Sequence, residues 1–446
     1  MENPFGLERP EILDLAPPQP RNVEETGLTL GFLNDLALKF LYYGGVMTGV
    51  QLADEIGLPF SGVIEVVINF LAEERFVEMR GGKGFGRASF SYTLTERGRE
   101  VAREAVRRSS YTGKAPVPLE QYTSLIRLQM QDVPFITRDH LLEHFKGLVL
   151  PSGFFDHIGP AVNSSRSLFL YGPPGNGKTT VAEMVADLLG GEVFVPHAIE
   201  VDHQVIKVFD PLSHEPLDLD RPNRPPPIKG MRAPVKKKAG PEFDRRWLLS
   251  RRPSVMVGGE LTLNTLDLIY NPNTQFYEAP FQVKANGGML LIDDFGRQRV
   301  HPTDLLNRWI VPLEKRIDFL TLHTGKKFEI PFDQLIIFAT NLDPKELVDE
   351  AFLRRIKYKI EVANPTEAEY RKIFQLVCGA KGIRFSDEAL NYILDSYYRQ
   401  YEMELRSCHP RDIIGLLIDV ARFRRVKPQL TKDLIDQACE SFFVVM

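Results

Sequence analysis

From Leu28 to about Arg108, apolar positions recur at helical spacing in three short stretches, LGFLNDLALKFLYYGG, TGVQLADEIGLP and SGVIEVVINFLAEERF. A helix returns to the same face every three or four residues, so each stretch predicts an amphipathic helix, the third starting near Ser61. The segment that follows, VEMRGGKGFGRASFSYTLTERGREVAREAV, alternates on both sides of a glycine cluster and predicts a hairpin. Farther along, SLFLY, EVFV, GMLLI and QLIIFA are continuous apolar runs of strand length, separated by the helical patterns KTTVAEMVADLL and LLNRWIVPLEKR. Strands apolar on both faces that alternate with helices predict a parallel sheet covered on both sides. After Asn364 the strands stop. TEAEYRKIFQLVCGA opens with Thr366 and Glu369 at capping-box spacing, and three more helical segments follow it, SDEALNYILDSYYRQY, PRDIIGLLIDVARF and TKDLIDQACESFF.

These changes of period divide the chain. Residues 1–26 are a proline- and glutamate-rich lead-in, 27–109 a small helical unit with a hairpin, and 110–129 a polar connection. Residues 130–364 form an α/β core with an insertion at about 200–258, and residues 365–446 are helical. A chain of 446 residues exceeds what one hydrophobic core usually supports, in keeping with this division. Within the insertion, RPNRPPPIKGMRAPVKKKAGPEFDRRWLLSRR, residues 221–252, is basic and too rich in proline for a helix or central strand. It predicts a surface loop, with contact to nucleic acid or a partner as the second reading.

Composition changes this picture little. The chain is 43% hydrophobic and 26% charged with a net charge of -4, so any basic patch has to be local. Cys378, Cys408 and Cys439 are far apart, which argues against a disulfide framework or a zinc site and suits a reducing, cytoplasmic setting. His197, His203 and His214 lack metal-ligand spacing. Neither a targeting signal nor a membrane span is expected.

Chemistry enters at SLFLYGPPGNGKTTVAEMV. A buried strand ends at Tyr171, and Gly172, Pro173, Pro174, Gly175, Asn176 and Gly177 lead into a helix starting near Lys178. Glycines there let backbone N–H groups wrap a phosphate at the helix N-terminus, where side chains would block it. Lys178 brings a point charge to β and γ phosphates, Thr179 offers a hydroxyl to Mg²⁺ and completes G-x-x-x-x-G-K-[ST], and Thr180 follows as a further nucleotide-binding candidate. The run GGMLLIDDFG then stops on two carboxylates. A Mg²⁺ held by a triphosphate needs a hard oxygen ligand from a rigid element next to the loop, which assigns Asp293 to the metal. Asp294 is then left to orient and polarise the attacking water.

With these motifs in place, the chain from about residue 130 onward resembles the AAA+ ATPases. The resemblance implies a P-loop α/β fold with a C-terminal helical lid, ATP and Mg²⁺ as ligands, and ATP hydrolysis. Asp294 departs from the family's usual glutamate. The resemblance further implies that Asn341, ending LIIFATN, is sensor 1. Arg355 in VDEAFLRRIKYKIEV would be an arginine finger reaching a neighbouring subunit's nucleotide, with Arg354 as the alternative and a surface pair with Glu350 as the structural reading. Arg411 in CHPRDIIGLL would be the nucleotide-touching lid arginine. The alternating segment RIDFLTLHTGKKFEIPFDQ predicts a hairpin, similar to the family's pre-sensor-1 element and to bacterial predicted ATPases with chaperone-like activity.

The N-terminal unit resembles a winged helix. As a DNA reader its third helix is poorly charged, with Glu65, Glu73 and Glu74 against Arg75, while its wing offers Arg80, Lys83 and Arg87. Tyr42 and Tyr43 are expected in core and helix-end packing. The family implies a homohexameric ring, and the leading expectation is an ATPase that remodels a protein partner. The alternative is a winged-helix DNA-binding ATPase acting in nucleic-acid remodelling or transcription regulation, and a slow nucleotide switch is a third reading.

Overall fold

The computed structural model describes residues 12–81, 86–131, 135–151, 153–217, 243–347 and 350–443. Near the N-terminus, the helix Leu30–Gly44 is capped by Thr29, and Gly49–Ile56 opens with a capping box between Thr48 and Gln51. The third helix, Glu65–Glu73, begins later than the Ser61 expected from sequence. Ser61 is extended and Gly62 takes a φ of 80°, where an added Cβ would sit 2.0 Å from Arg21 O; the glycine lets the N-terminal segment pass against this turn. Val46–Thr48, Ser91–Leu94 and Val77–Arg80 form a three-stranded antiparallel sheet with Ser91–Leu94 in the middle. Leu33, Leu36, Leu52, Val67 and Tyr92 fill the core beneath it. Tyr42 and Tyr43 stack edge to face at the helix end but are exposed along with residues 44–46, so they are not core.

The central sheet has five parallel strands in the order Ser254–Val257, Met289–Ile292, Leu335–Thr340, Leu168–Tyr171, Tyr358–Glu361. Helices cover it, with Val181, Val185, Ile158 and Val162 against one face and Trp309, Leu305 and Phe352 against the other. Its edge strand corrects the sequence reading. EVFV, expected in this sheet, lies in Glu192–Pro196, which pairs antiparallel with Trp247–Arg251. The sheet position is taken by Ser254–Val257, inside the stretch assigned to the insertion. Only Val255 and Val257 of that strand are buried, and its apolar run is just three residues long, Val255 to Val257, shorter than those of the other strands in this sheet except Tyr358–Glu361.

Other described residues in and around the insertion build a second β layer. Ala198–Val201 and Gln204–Lys207 join Ile269–Asn271, Phe276–Glu278 and Val117–Pro118 in a five-stranded mixed sheet. The hairpin Ile317–Thr321/Lys327–Pro331 forms as expected and buries Leu320 and Ile330 in the same core as Phe194, Trp247 and Tyr277. The stretch 110–129 is not a plain connection. It contains the start of the helix Leu119–Met130, and Val117, Tyr122 and Ile126 are buried in this core.

Arg246 ties these pieces together. Its side chain is 1% exposed. The guanidinium donates to both Asp244 carboxylate oxygens, to Thr26 O at 2.7 Å, to Pro116 O at 3.3 Å and to Gln121 Oε1 at 3.2 Å. The lead-in therefore ends packed, with Thr26 buried. Of the basic stretch, residues 221–242 lie outside the described residues. In its described end Arg245 pairs with Asp54 and Arg252 donates to Gly287 O, so these cations serve the fold.

After Asn364, the helices Glu367–Ala380, Asp387–Ile393, His409–Phe423 and Lys432–Phe442 pack around Tyr370, Phe374, Leu390, Ile414 and Leu417. The Thr366–Glu369 capping box forms. Among the described residues, no single helix is long and apolar enough to cross a membrane.

Candidate nucleotide-binding site

Strand register sets the site. Thr340 pairs with Tyr171, and Ile292 pairs with Phe338 on the neighbouring strand, so the chain leaves three adjacent strands at one edge as Gly172, Asp293 and Asn341. The carboxyl ends of an open parallel sheet are where such folds hold ligands.

The loop conformation explains its glycines. Gly172 has a φ of 134°, and an added Cβ would lie 2.5 Å from Val362 O; at Gly175, with a φ of 81°, it would meet Cys408 Sγ at 2.6 Å. Gly177, with a φ of 85°, caps the helix Lys178–Leu189. Pro173 and Pro174 restrict the loop between the first two glycines. Lys178 is buried and donates to Gly172 O and Pro173 O, both at 2.9 Å, so its ammonium lies across the inside of the loop. Burial lowers its pKa, while Asp293 and Asp294 act in the opposite direction.

Thr179 Oγ1 donates to Asp293 Oδ2 at 2.9 Å. Asp293 Oδ1 accepts from the Asp294 amide at 2.9 Å, and the Asp293 amide donates to Val257 O. Asp294 points elsewhere: its Oδ1 accepts from Asn341 Nδ2 at 3.1 Å. Its φ of 49° is left-handed, a conformation aspartate adopts more readily than most residues, which gives a local reason for the shorter acid here. Thr340 Oγ1 donates to Phe295 O, fastening the strand end that carries Asn341 to the acidic turn.

These groups line one cavity of about 520 Å³. Pro174 to Thr180, Asp293, Asp294 and Asn341 form its polar wall, and Arg411 overlooks it from the first turn of His409–Phe423. Arg411 is exposed, its Nε 3.4 Å from Asp412 Oδ1. Leu148, Leu150, Ile373, Leu376 and Cys408 also line the cavity and were not anticipated. Apolar residues in a loop and on a helix give no chemical signature, so nothing in their local sequence could have marked them. Arg355 is not among the lining residues. Its Nε donates to Glu314 Oε1 at 2.6 Å, which makes Glu314 one of its partners. Arg354 lines a separate cavity of about 620 Å³ with Tyr171, Asp343, Lys345 and Lys359. His214, one of the histidines considered above, bonds Asp210 O and Lys284 O through its ring.

Residues 168–218 match the ATPase family associated with various cellular activities (AAA). The AAA match covers the phosphate loop and ends before Asp293, Asn341, Arg355 and Arg411; of these, Asp293, Asn341 and Arg411 line the cavity and Arg355 does not. Residues 366–441, the helical region, match a domain of unknown function (DUF8689). No curated protein matches the chain. Among solved structures, the Thermotoga maritima RuvB Holliday junction branch migration motor is similar at 13% identity, covering 66% of this chain and 70% of that one, with a TM-score of 0.35. Brucella abortus NtrX in complex with ADP is similar at 14% identity, covering 75% and 64%, with a TM-score of 0.38.

Proposed function

We propose that this chain is a cytoplasmic, Mg²⁺-dependent AAA+ ATPase that assembles into a homohexameric ring and uses ATP hydrolysis to remodel a protein partner. The observation that carries the reading is the joint placement of the Lys178–Thr179 helix start, Asp293 and the Asp294–Asn341 pair around one cavity of nucleotide size.

The loop amides and Lys178 bind and orient the phosphates; Lys178 exchanges its contacts with loop carbonyls for phosphate oxygens. Thr179 and Asp293 fit Mg²⁺, since a hydroxyl and a carboxylate oxygen 2.9 Å apart are hard donors of the kind it takes. Bound there, the ion supplies charge neutralisation on the phosphate oxygens. Asp294 accepts the proton of the attacking water, and Asn341 holds the carboxylate in place. Arg411 touches the nucleotide from the lid. Arg355, or Arg354 beside it, reaches the cavity of the next subunit and stabilises charge there.

The N-terminal unit, taken as a winged helix, supports a protein partner over DNA. The exposed stripe of its third helix is Val66, Phe70 and Glu73. Arg87 donates to Asn69 and Arg80 pairs with Glu78, while Lys83 lies outside the described residues. A helix face that is apolar and acidic is matched to protein and repels phosphate.

Native mass measured with and without ATP tests the ring. A chain that turns over ATP at full rate as a monomer overturns that part of the proposal. Lys178→Ala is expected to lose nucleotide binding. Asp294→Asn is expected to keep binding and lose turnover by about a hundredfold or more, and normal hydrolysis in that variant would refute the division of roles between the two aspartates. Stimulation of the ATPase by duplex DNA and not by unfolded protein would transfer the proposal to a nucleic-acid partner.

A further inference from the structure

Asn176 sits between two left-handed glycines in the phosphate loop, yet its side chain is buried and both ends of its amide are engaged. Nδ2 donates to Asn364 Oδ1 at 2.8 Å, and Oδ1 accepts from the Ser407 amide at 3.0 Å. Neither partner belongs to the loop. Asn364 lies just before the Thr366 cap of the first lid helix, and Ser407 just before the helix that carries Arg411. The same junction continues outward and sideways: Asn364 Nδ2 donates to Glu404 Oε2 at 2.8 Å, and the Cys408 amide donates to Gly175 O at 2.9 Å.

We propose that Asn176 is the positioning residue through which phosphate occupancy of the loop sets the orientation of the lid. This rests on the reading that the loop binds nucleotide phosphates. The loop's free-state contacts make the coupling physical. Lys178 holds the carbonyls of Gly172 and Pro173, and a phosphate that draws the ammonium away releases them. The glycines on either side of Asn176 let the backbone adjust at little steric cost. The adjustment cannot stay local, because a buried amide keeps its partners or leaves them unsatisfied. Asn364 and Ser407 therefore move with Asn176, and Arg411, four positions after Ser407, moves with the helix start.

Hydrogen exchange of residues 404–411, measured with and without ADP, tests this in the full chain. ADP is expected to slow exchange of the Ser407 and Cys408 amides by about fivefold or more. Asn364→Leu, which removes the acceptor for Asn176 without substituting any residue of the phosphate loop, should reduce that effect to about twofold or less, with ADP affinity within about threefold of the parent. Asn364→Asp combined with Glu404→Gln keeps an acceptor for Asn176 without setting two carboxylates against each other, and should restore the full effect. Retention of the ADP effect in Asn364→Leu, or its loss in both variants, overturns the proposal. Exchange across Ile413–Ala421 without ADP reports whether the lid is folded; if Asn364→Leu unfolds it, Asn364→Ser is compared with the double variant instead. A parent chain that binds ADP with no change at Ser407 and Cys408 defeats the coupling alone. One that takes up no ADP at about 1 mM defeats the nucleotide reading as well.

Discussion

Arg246 and Arg355 place the same guanidinium in two unlike settings. Arg246 is 1% exposed, bidentate on an equally buried Asp244, with its other donors on Thr26 O, Pro116 O and Gln121 Oε1. Arg355 is 21% exposed and pairs with a half-exposed Glu314 at the rim of a helix. A buried guanidinium with its donors satisfied is part of the architecture, because removing it strands a carboxylate away from water. A rim guanidinium in a part-solvated pair is held weakly enough to change partners. Breaking the first should have the largest effect. Arg246→Ala is expected to cost about 3–5 kcal/mol in denaturant unfolding, since Asp244 stays behind without its partner. A loss under about 1 kcal/mol would mean that the three segments meeting at Arg246 are held by packing alone.

His409 sharpens the contrast, because it is buried beside chemistry but kept neutral. Its Nδ1 is 2.8 Å from Tyr398 OH, which in turn meets Tyr370 OH at 2.8 Å, and it lies two positions before Arg411. Burial first, with Arg406 adding to it and Asp412 opposing, lowers its pKa from 6.5 to about 4. Above the unfolded value, neither state carries the proton and no stability is lost. As pH falls from 6.5 toward about 4, the unfolded chain binds a proton that the folded lid refuses, so stability declines by up to about 3 kcal/mol. His409→Gln should flatten the slope of unfolding free energy in that window. His197 is likewise lowered to about 4, by burial and Lys114, and cancels in the comparison of parent with variant.

The sequence made the phosphate loop legible because glycine is a steric requirement there: a Cβ on Gly172 or Gly175 would lie within 2.6 Å of a neighbouring atom, and side chains rarely adopt their φ. Asp293 and Asn341 could be located because each follows an apolar run, and a run buried on both faces announces its own end. The strand Ser254–Val257 carries only a three-residue apolar run beside a proline- and arginine-rich stretch, too short to stand out in sequence, while Glu192–Pro196 imitated a central strand because a different core covers it. Residues 110–129 looked polar and proline-broken, and their burial comes from partners far away in sequence, Phe194 and Trp247 among them. The lid contacts of Asn176 were out of reach for the same reason: nothing near position 176 names Asn364 or Ser407.

The smallest expected effect tests the other end of the comparison. Glu314 lies in the last turn of the short helix Ile310–Lys315, ahead of the hairpin, and its carboxylate restrains Arg355 within the same chain. If Arg355 serves a neighbouring subunit, that restraint competes with assembly, and loosening it should favour the neighbour. Glu314→Ala is therefore expected to change stability by less than about 1 kcal/mol, as for other part-exposed pairs. It should also lower the protein concentration at which ATP turnover reaches half its maximum, a shift of about threefold at most for a contact of that strength. The two readouts separate the alternatives. A fall in maximal turnover matching that of Arg355→Ala would show that Glu314 positions the arginine for the chemistry instead of holding it back. A concentration dependence shifted by Arg354→Ala but not by Glu314→Ala or Arg355→Ala would move the finger to the neighbouring position, beside the cavity lined by Lys345 and Lys359.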